Sequence, residues 1–470
     1  MSGERKVLTE EEYKKYVQPF YDFETEDGVM VLEKSKGTFS VQNKTIDVAV
    51  IAEIDFRRSA KLVFRLYNND NDALTLFPAI NIGSDNDSKF TFKAKEIEGN
   101  ICRCTRKTNP PSLDIIWSPF VAKLGSVFTQ LGNDATKLKS VTLHIFNFSD
   151  VQGLYCSKHI KSENGESQII TWAELLNDEW LVEFNSLPGN IDKYKKLKDN
   201  GGYQLTHVLN FSKADNSYFT VGEAKKLISF FDFFISFSKG NMCRSVCPIG
   251  YDENNSIVWT FWNHPDELWK RPMTWLHDQH IESLEELCPK MYKLWNTEYW
   301  NSSLKTIIYW YITVNNFDHN INANIILTYT ALERISYEYF VNYKKLMTKN
   351  KFKDLKGPDI LRELLTSLGI SLLIPSSRES LNIHNPSFED GPHALNLVRN
   401  SIVHPDNKNH GQYKDCIVYV HYLGLWYLEL VILRLCDYNG AYVNRLNYNL
   451  PSNGKPEYVP WRKVEYAESN

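Results

Sequence analysis

The chain has 470 residues, beyond the length at which one hydrophobic core stops growing, so two or three domains are expected. Apolar residues make up 43% and charged residues 23%, the balance of a folded soluble protein. A net charge of -4 excludes a broad, nonspecific duplex-coating protein, though a pocket can still be locally basic.

The opening "MSGERKVLTEEEYKKYV" is charged and lacks the apolar stretch of a secretion signal. From about residue 24 to 150, "TFSVQNKTIDVAVIAEI", "AKLVFRLY", "DALTLFPAI", "SKFTFKAKEI" and "KSVTLHIFNF" alternate apolar and polar residues between Asn, Asp and Gly turns. They predict antiparallel strands. The rhythm changes in "DNSYFTVGEAKKLISFFDFFISFSKG", where Val221 to Phe237 predicts an apolar helix stopped by Gly240. "SIVWTFWNH" returns to strand character. Within these segments Asp232 and His207 read as satisfied, partly buried polar residues. Trp259, Trp262 and His264 read as sheet core or as the lining of a ligand pocket.

After about residue 290 apolar residues recur three and four apart, in 302–316, 322–347, 359–375, "ALNLVRN" and 413–436. This predicts a bundle of about five helices. The last segment is apolar around most of its circumference and belongs at the bundle centre or at a dimer interface. The fold class is α+β, with a β-rich region over 1–290, a helical bundle over 291–450 and a tail over 451–470. No uninterrupted apolar run of 18 residues is read, so the expectation is a cytoplasmic protein without a membrane partner. The eight cysteines lack zinc-knuckle spacing and read as reduced structural thiols. No metal or cofactor is expected, and neither GxxxxGK[ST] nor GxSxG occurs.

"LVRNSIVHPDNKNH" puts Arg399, Asn400 and His404 at the end of a helical pattern. On a continuous helix, Arg399 and His404 would stand roughly 140° apart. Pro405 disfavours helical geometry at His404, so the helix should end between Asn400 and His404 and the imidazole can fold back. An imidazole can move a proton at neutral pH, and a guanidinium is a permanent planar donor to phosphate oxygens. Together they suit attack of an RNA 2′-OH on its neighbouring phosphate, without a metal. The bland alternative is an arginine in an ion pair and a solvated loop histidine.

In its wider context "LVRNSIVHP", flanked by helices, resembles the Arg-x4-His motif of the HEPN superfamily, with Arg399, Asn400 and His404 at its positions. "TYTALERISYEYF" resembles that superfamily's earlier helix and supplies Glu333. The β-rich front, with "LTHVLNFSKADNSYFTVGEAKKLISFFDFFISFSKG", is similar to ApeA-type bacterial anti-phage proteins. The resemblance implies a HEPN-like bundle that pairs as a homodimer and a metal-independent endoribonuclease leaving a 2′,3′-cyclic phosphate. In it His404 is the general base or acid, Arg399 binds the scissile phosphate, Asn400 assists and Glu333 orients them. His410, in the same loop, could assist. It further implies an RNA substrate such as tRNA and an N-terminal region that senses a phage-derived trigger in antiviral defence. The alternative is a noncatalytic dimerisation or binding module coupled to a ligand sensor.

Overall fold

In the computed structural model the described residues are 18–21, 23, 28–41, 44–68, 88–92, 95–108, 111–119, 128–152, 157–161, 167–316, 320–374, 388–404, 413–447 and 456–462. The strand expected at "DALTLFPAI" lies outside them, as do Pro405, His410 and most of the 451–470 tail.

Six strands open the described chain: β1 (Val29–Val41), β2 (Lys44–Asp55), β3 (Lys61–Asn68), β4 (Ser88–Phe92), β5 (Lys95–Thr108) and β6 (Pro111–Pro119). Along β2 every second residue, Ile46, Val48, Val50, Ala52 and Ile54, is buried, so one face of the strand meets a core. The strands close in the order β1-β2-β3-β6-β5-β4, a barrel that leaves no open edge. Phe39, Phe64, Leu66, Ile115 and Trp117 help fill its interior.

A second, eight-stranded antiparallel sheet follows, built from β7 (Phe128–Leu131), β9 (Ser140–Phe146), β10 (Ser157–Lys161), β11 (Ser167–Asn177), β12 (Trp180–Ser186), β13 (Leu205–Lys213), β15 (Ser245–Tyr251) and β16 (Ile257–Trp262). Its order is β10-β11-β12-β13-β9-β15-β16-β7, while β8 (Lys137–Leu138) and β14 (Phe219–Thr220) form a small pair beside it. Helix α1 (Asn190–Asn200) sits in the connection from β12 to β13. Val208, Val246, Ile249 and Trp262 share the barrel's core, whereas Leu143, Leu209, Phe211 and Trp259 belong to the core of the helices. The sheet is therefore a middle layer, apolar on both faces. Trp259 and Trp262 are both buried and lie in different cores, so they do not line one pocket.

Helix α2 (Val221–Lys239) covers the far face. Thr220 and Glu223 form a capping box at its start, and Gly240, at φ 74°, ends it in the left-handed conformation that glycine adopts without strain. Phe230, Phe231, Phe234 and Phe237 are buried between the sheet and the bundle. Asp232 is satisfied, accepting from both the backbone N–H and the hydroxyl of Ser245 at 2.8 Å, and burial lifts its carboxyl to about 6. His207 departs from its expected role. It is buried against Phe184 and Phe148, and neither ring nitrogen has a hydrogen-bond partner among the described residues.

The C-terminal half is mostly helical: α3 (Glu282–Trp295), α4 (Trp300–Asn315), α5 (Ile321–Tyr337) with a π turn at Glu338–Tyr343, α6 (Lys349–Asp354), α7 (Gly357–Ser367), α8 (Gly391–Val403) and α9 (Ile417–Leu435). Strands β17 (Ala441–Val443) and β18 (Pro456–Tyr458) pair at the end. Leu423 through Leu433 of α9 are buried without a break, which makes it the bundle's central helix. Among the described residues α9 is the one helix long and apolar enough to cross a membrane, and 72% of that window is buried inside the protein. One apolar core runs from Leu138 to Val459, joining the helical face of the sheet to the bundle. The architecture is a mixed α+β fold, sheet-rich first and helical afterwards.

Candidate functional site

Helix α8 carries the site expected from the sequence. Asp390 caps it by accepting from the His393 N–H at 2.8 Å, and Arg362 on α7 donates to Asp390, Asp359 and Glu389. Ala394, Leu395, Val398 and Ser401 face the core, which leaves Asn396, Arg399, Asn400 and Val403 on the outer side at helical spacing. Helix α5 meets that side with Tyr329 and Glu333, one turn apart on one face.

The Arg399 guanidinium lies 5.6 Å from the Tyr329 ring centre, and its Nη1 donates to Asn400 Oδ1 at 3.0 Å. Its Nε is buried without a hydrogen-bond partner. Tyr329 Oη donates to Asn396 Oδ1 at 3.1 Å. Glu333 is half-buried; burial raises its carboxyl above the ordinary value and the positive charge of Arg399 partly offsets that. The structure thus gathers Tyr329, Glu333, Asn396, Arg399 and Asn400 between two helices.

His404 is placed differently. It is the exposed C-cap of α8, and its backbone N–H donates to Asn400 O at 3.0 Å, which closes the last turn of the helix. Among the described residues no hydrogen bond, ion pair or ring contact joins His404 to Arg399 or to Glu333. The helix runs through Val403, so only His404 itself leaves it, and the fold-back that Pro405 suggested does not bring the two side chains into contact.

A second polar site, missed from sequence, lies where the sheet region meets the bundle. A cleft of about 400 Å³ is lined by Ser149 and residues 270–274 from the sheet region and its connection to the bundle, and by Asn315, Asn316, Tyr422 and Arg445 from the bundle, with Asp278 beside Arg271. Its floor is a buried ion pair. Glu429, on the otherwise apolar α9, accepts from Arg445 Nε at 2.8 Å, from Arg445 Nη2, and from Tyr311 Oη at 2.6 Å. Arg445 is 1% exposed and Glu429 0%. Arg445 Nη1 donates to Asn315 Oδ1, and Asn315 Nδ2 donates to the carbonyls of Gly240 and Met273 at 2.9 and 2.8 Å. A Cβ at residue 240 would stand 2.7 Å from Asn315 Nδ2, so the glycine that ends α2 also admits this bridge between the two regions.

Two further groups stand beside the cleft. Asn316, 8% exposed, donates to Asn241 Oδ1 at 2.7 Å, while its own Oδ1 is buried without a partner. Lys239, 2% exposed, donates to Ser149 Oγ at 3.2 Å and has no carboxylate at ion-pair distance among the described residues. Burial lowers its ammonium to about 8. The sequence signal for this site was a glutamate inside "LELVILRL", a charge that an apolar helix tolerates only with a partner. Nothing local pointed to Lys239, since a lysine in the last turn of a helix is ordinarily solvated.

Residues 133–270 match the family model of the YopA central domain, and residues 297–455 match that of the YopA C-terminal domain. Over 271 residues the chain is 32% identical to the SPbeta prophage-derived uncharacterized protein YopA of Bacillus subtilis (strain 168). That alignment covers 57% of this chain and 60% of the relative's length. No solved structure matches. These matches overturn the resemblance to the HEPN superfamily and ApeA-type proteins, together with the antiviral role drawn from it. The physical reason is the shortness of the motif: an arginine and a histidine five apart at a helix end recur wherever a helix is capped near a basic residue. Ser149 and Lys270 of the cleft fall in the first matched segment and Asn315, Asn316, Tyr422 and Arg445 in the second, whereas the barrel lies outside both.

Proposed function

We propose that this protein is a noncatalytic, ligand-responsive binding protein whose ligand enters the cleft between the sheet region and the helical bundle. One observation carries the reading: the cleft takes its walls from both regions, and its floor is the Glu429–Arg445–Asn315 network that ties the end of α2 to α4 and α9. An occupant that touches both walls favours their docked arrangement and stabilises the fold by mass action. Thermal melts of the purified chain with and without the small-molecule filtrate of a bacterial lysate test this. The filtrate is expected to raise Tm by about 1–2 °C, the shift that about 1–2 kcal/mol produces in a protein of 470 residues. Pro272→Trp, which puts an indole into the cleft from a loop, should abolish the rise. An equal rise in both proteins, or none in either, argues against the cleft.

A second reading, metal-independent cleavage of RNA, is favoured by one specific feature of α8. Arg399 is a permanent cation with a buried donor, Nε, that has no partner among the described residues, and His404 caps the same helix in solvent. A phosphate received by Arg399 at the end of α8 would lie in the neighbourhood of an imidazole able to move a proton. Pairing of two bundles in a homodimer would add a second such helix end. The test is incubation with total bacterial RNA, tRNA included, in EDTA, followed by detection of 2′,3′-cyclic phosphate ends. Cleavage by the parent chain and a loss of at least about 100-fold in Arg399→Ala and His404→Ala is the outcome this reading requires. Product formed equally by all three proteins would assign the cleavage to a contaminant.

A further inference from the structure

Resting on the ligand-binding reading of the same cleft, we infer that its occupant is a phosphorylated sugar, free or within a nucleotide, with the phosphate at the Ser149 end and a hydroxyl at Asn316. Lys239 is a nearly inaccessible ammonium whose hydrogen-bond partner is the Ser149 hydroxyl. Because Ser149 Oγ accepts from that ammonium, its own hydrogen remains to be donated, and Ser149 lines the cleft. A buried positive charge directly behind a hydroxyl donor polarises it towards an anion, in surroundings where the field is weakly screened.

Lys270 and Arg271 also line the cleft, and with Lys239 these cations stand near two carboxylates, Asp278, which Arg271 meets at 3.2 Å, and Asp150 beside it. The charges of Arg445 and Glu429 compensate each other below them. A phosphate, with several acceptor oxygens and no need of a donor there, fits the Ser149 end.

Asn316, which also lines the cleft, asks for the reverse chemistry. Asn316 Oδ1 is a buried acceptor without a partner among the described residues, its amide nitrogen being committed to Asn241. Leaving such an acceptor unmet is costly, and a ligand hydroxyl would satisfy it. An inorganic anion offers the Ser149 end its partner and Asn316 none. A sugar phosphate offers both.

Calorimetric titration of the full chain with ribose 5-phosphate, AMP, inorganic phosphate and ribose tests the assignment. Ribose 5-phosphate or AMP should bind, ribose should not, and inorganic phosphate should bind more weakly than either. Lys239→Met keeps the side chain's bulk and should weaken the phosphorylated probes about tenfold, as loss of a charge-assisted contact does. Asn316→Leu should weaken ribose 5-phosphate while leaving inorganic phosphate unchanged. Arg271→Ala, an exposed substitution at the rim, should weaken both and guards against a variant that simply misfolds. Failure of every phosphorylated probe, or equal binding by parent and variants, overturns the inference. If the lysate filtrate still raises Tm in that case, the cleft binds a ligand of another class; if it does not, the binding reading falls as well.

Discussion

Replacing Arg445 with methionine is expected to lower the unfolding free energy by about 3–5 kcal/mol, the cost of leaving one member of a buried ion pair alone. Glu429 would then sit at 0% exposure, in the middle of the central helix, with the Tyr311 hydroxyl as its remaining donor at 2.6 Å. One neutral hydroxyl does not replace a guanidinium that holds both carboxylate oxygens. The substitution also removes the donor to Asn315 Oδ1, loosening the amide that bridges Gly240 and Met273. Glu429→Gln alone should cost a similar amount, because Arg445 is equally buried. The double variant should cost clearly less than the sum, since two neutral side chains leave no buried charge behind. Urea unfolding of the four proteins measures this. Single losses below about 1 kcal/mol, or simple additivity, would show that the pair does not hold the cleft floor.

How much of this was legible in the sequence differs from element to element. The alternation in β2 and the aromatic stripe of α2 ending at Gly240 were visible, because period and cap are local properties of the chain. That the β-rich front would divide into a closed barrel and a sheet apolar on both faces was not, since alternation tells a strand which face is apolar but not which strands close on each other. In the bundle, the segments expected at 302–316, 322–347 and 413–436 fall on α4, α5 and α9, while α3 and α6 are additional helices. The polar cluster on α8 shows the limit of spacing. Arg399 and Asn400 could be put on one helix end from sequence, but the ring of Tyr329 beside Arg399 comes from α5, far earlier in the chain. The cleft was hidden for the same reason on a larger scale: Ser149, Lys239, Asn316 and Arg445 are scattered over the chain, and only the docking of α2, α4 and α9 assembles them.

Acidification should unfold this protein early, through histidines that the fold keeps neutral. Burial lowers His144 and His421 to about 4 and His207 to about 3. His144 is held in one tautomer: Nδ1 donates to the Val246 carbonyl at 2.9 Å, and Nε2 accepts from the Phe20 N–H at 3.2 Å. A proton on Nε2 would have to displace that donor. His207 is stacked on Phe184 at 4.7 Å, with no acceptor for a charged ring. In the unfolded chain all three take up protons near pH 6.5, and in the native protein they do not until about 4 or below. Their stabilisation is therefore complete above about pH 6.5 and is lost as pH falls towards the native values. Asp232, raised to about 6 by burial, works in the opposite direction and offsets about one of the three protons. Asp150 and Glu333, raised by burial, add to Asp232, and His277, lowered by burial, adds to the histidines, whereas Asp55 and Glu223, lowered by their hydrogen bonds to Arg57 and Thr220, act only below the ordinary carboxyl range. The three histidines less Asp232 leave about two protons, roughly 3 kcal/mol per pH unit and about 4 kcal/mol between pH 6 and 4.5, a large part of a typical folding free energy. Urea unfolding at pH 7, 5.5 and 4.5 should show that fall, and His207→Phe should flatten it by about 1.4 kcal/mol per unit. Equal stability at pH 7 and 5 would mean that the buried imidazoles find protons, or water, that the packing around Phe184 and Val246 does not provide.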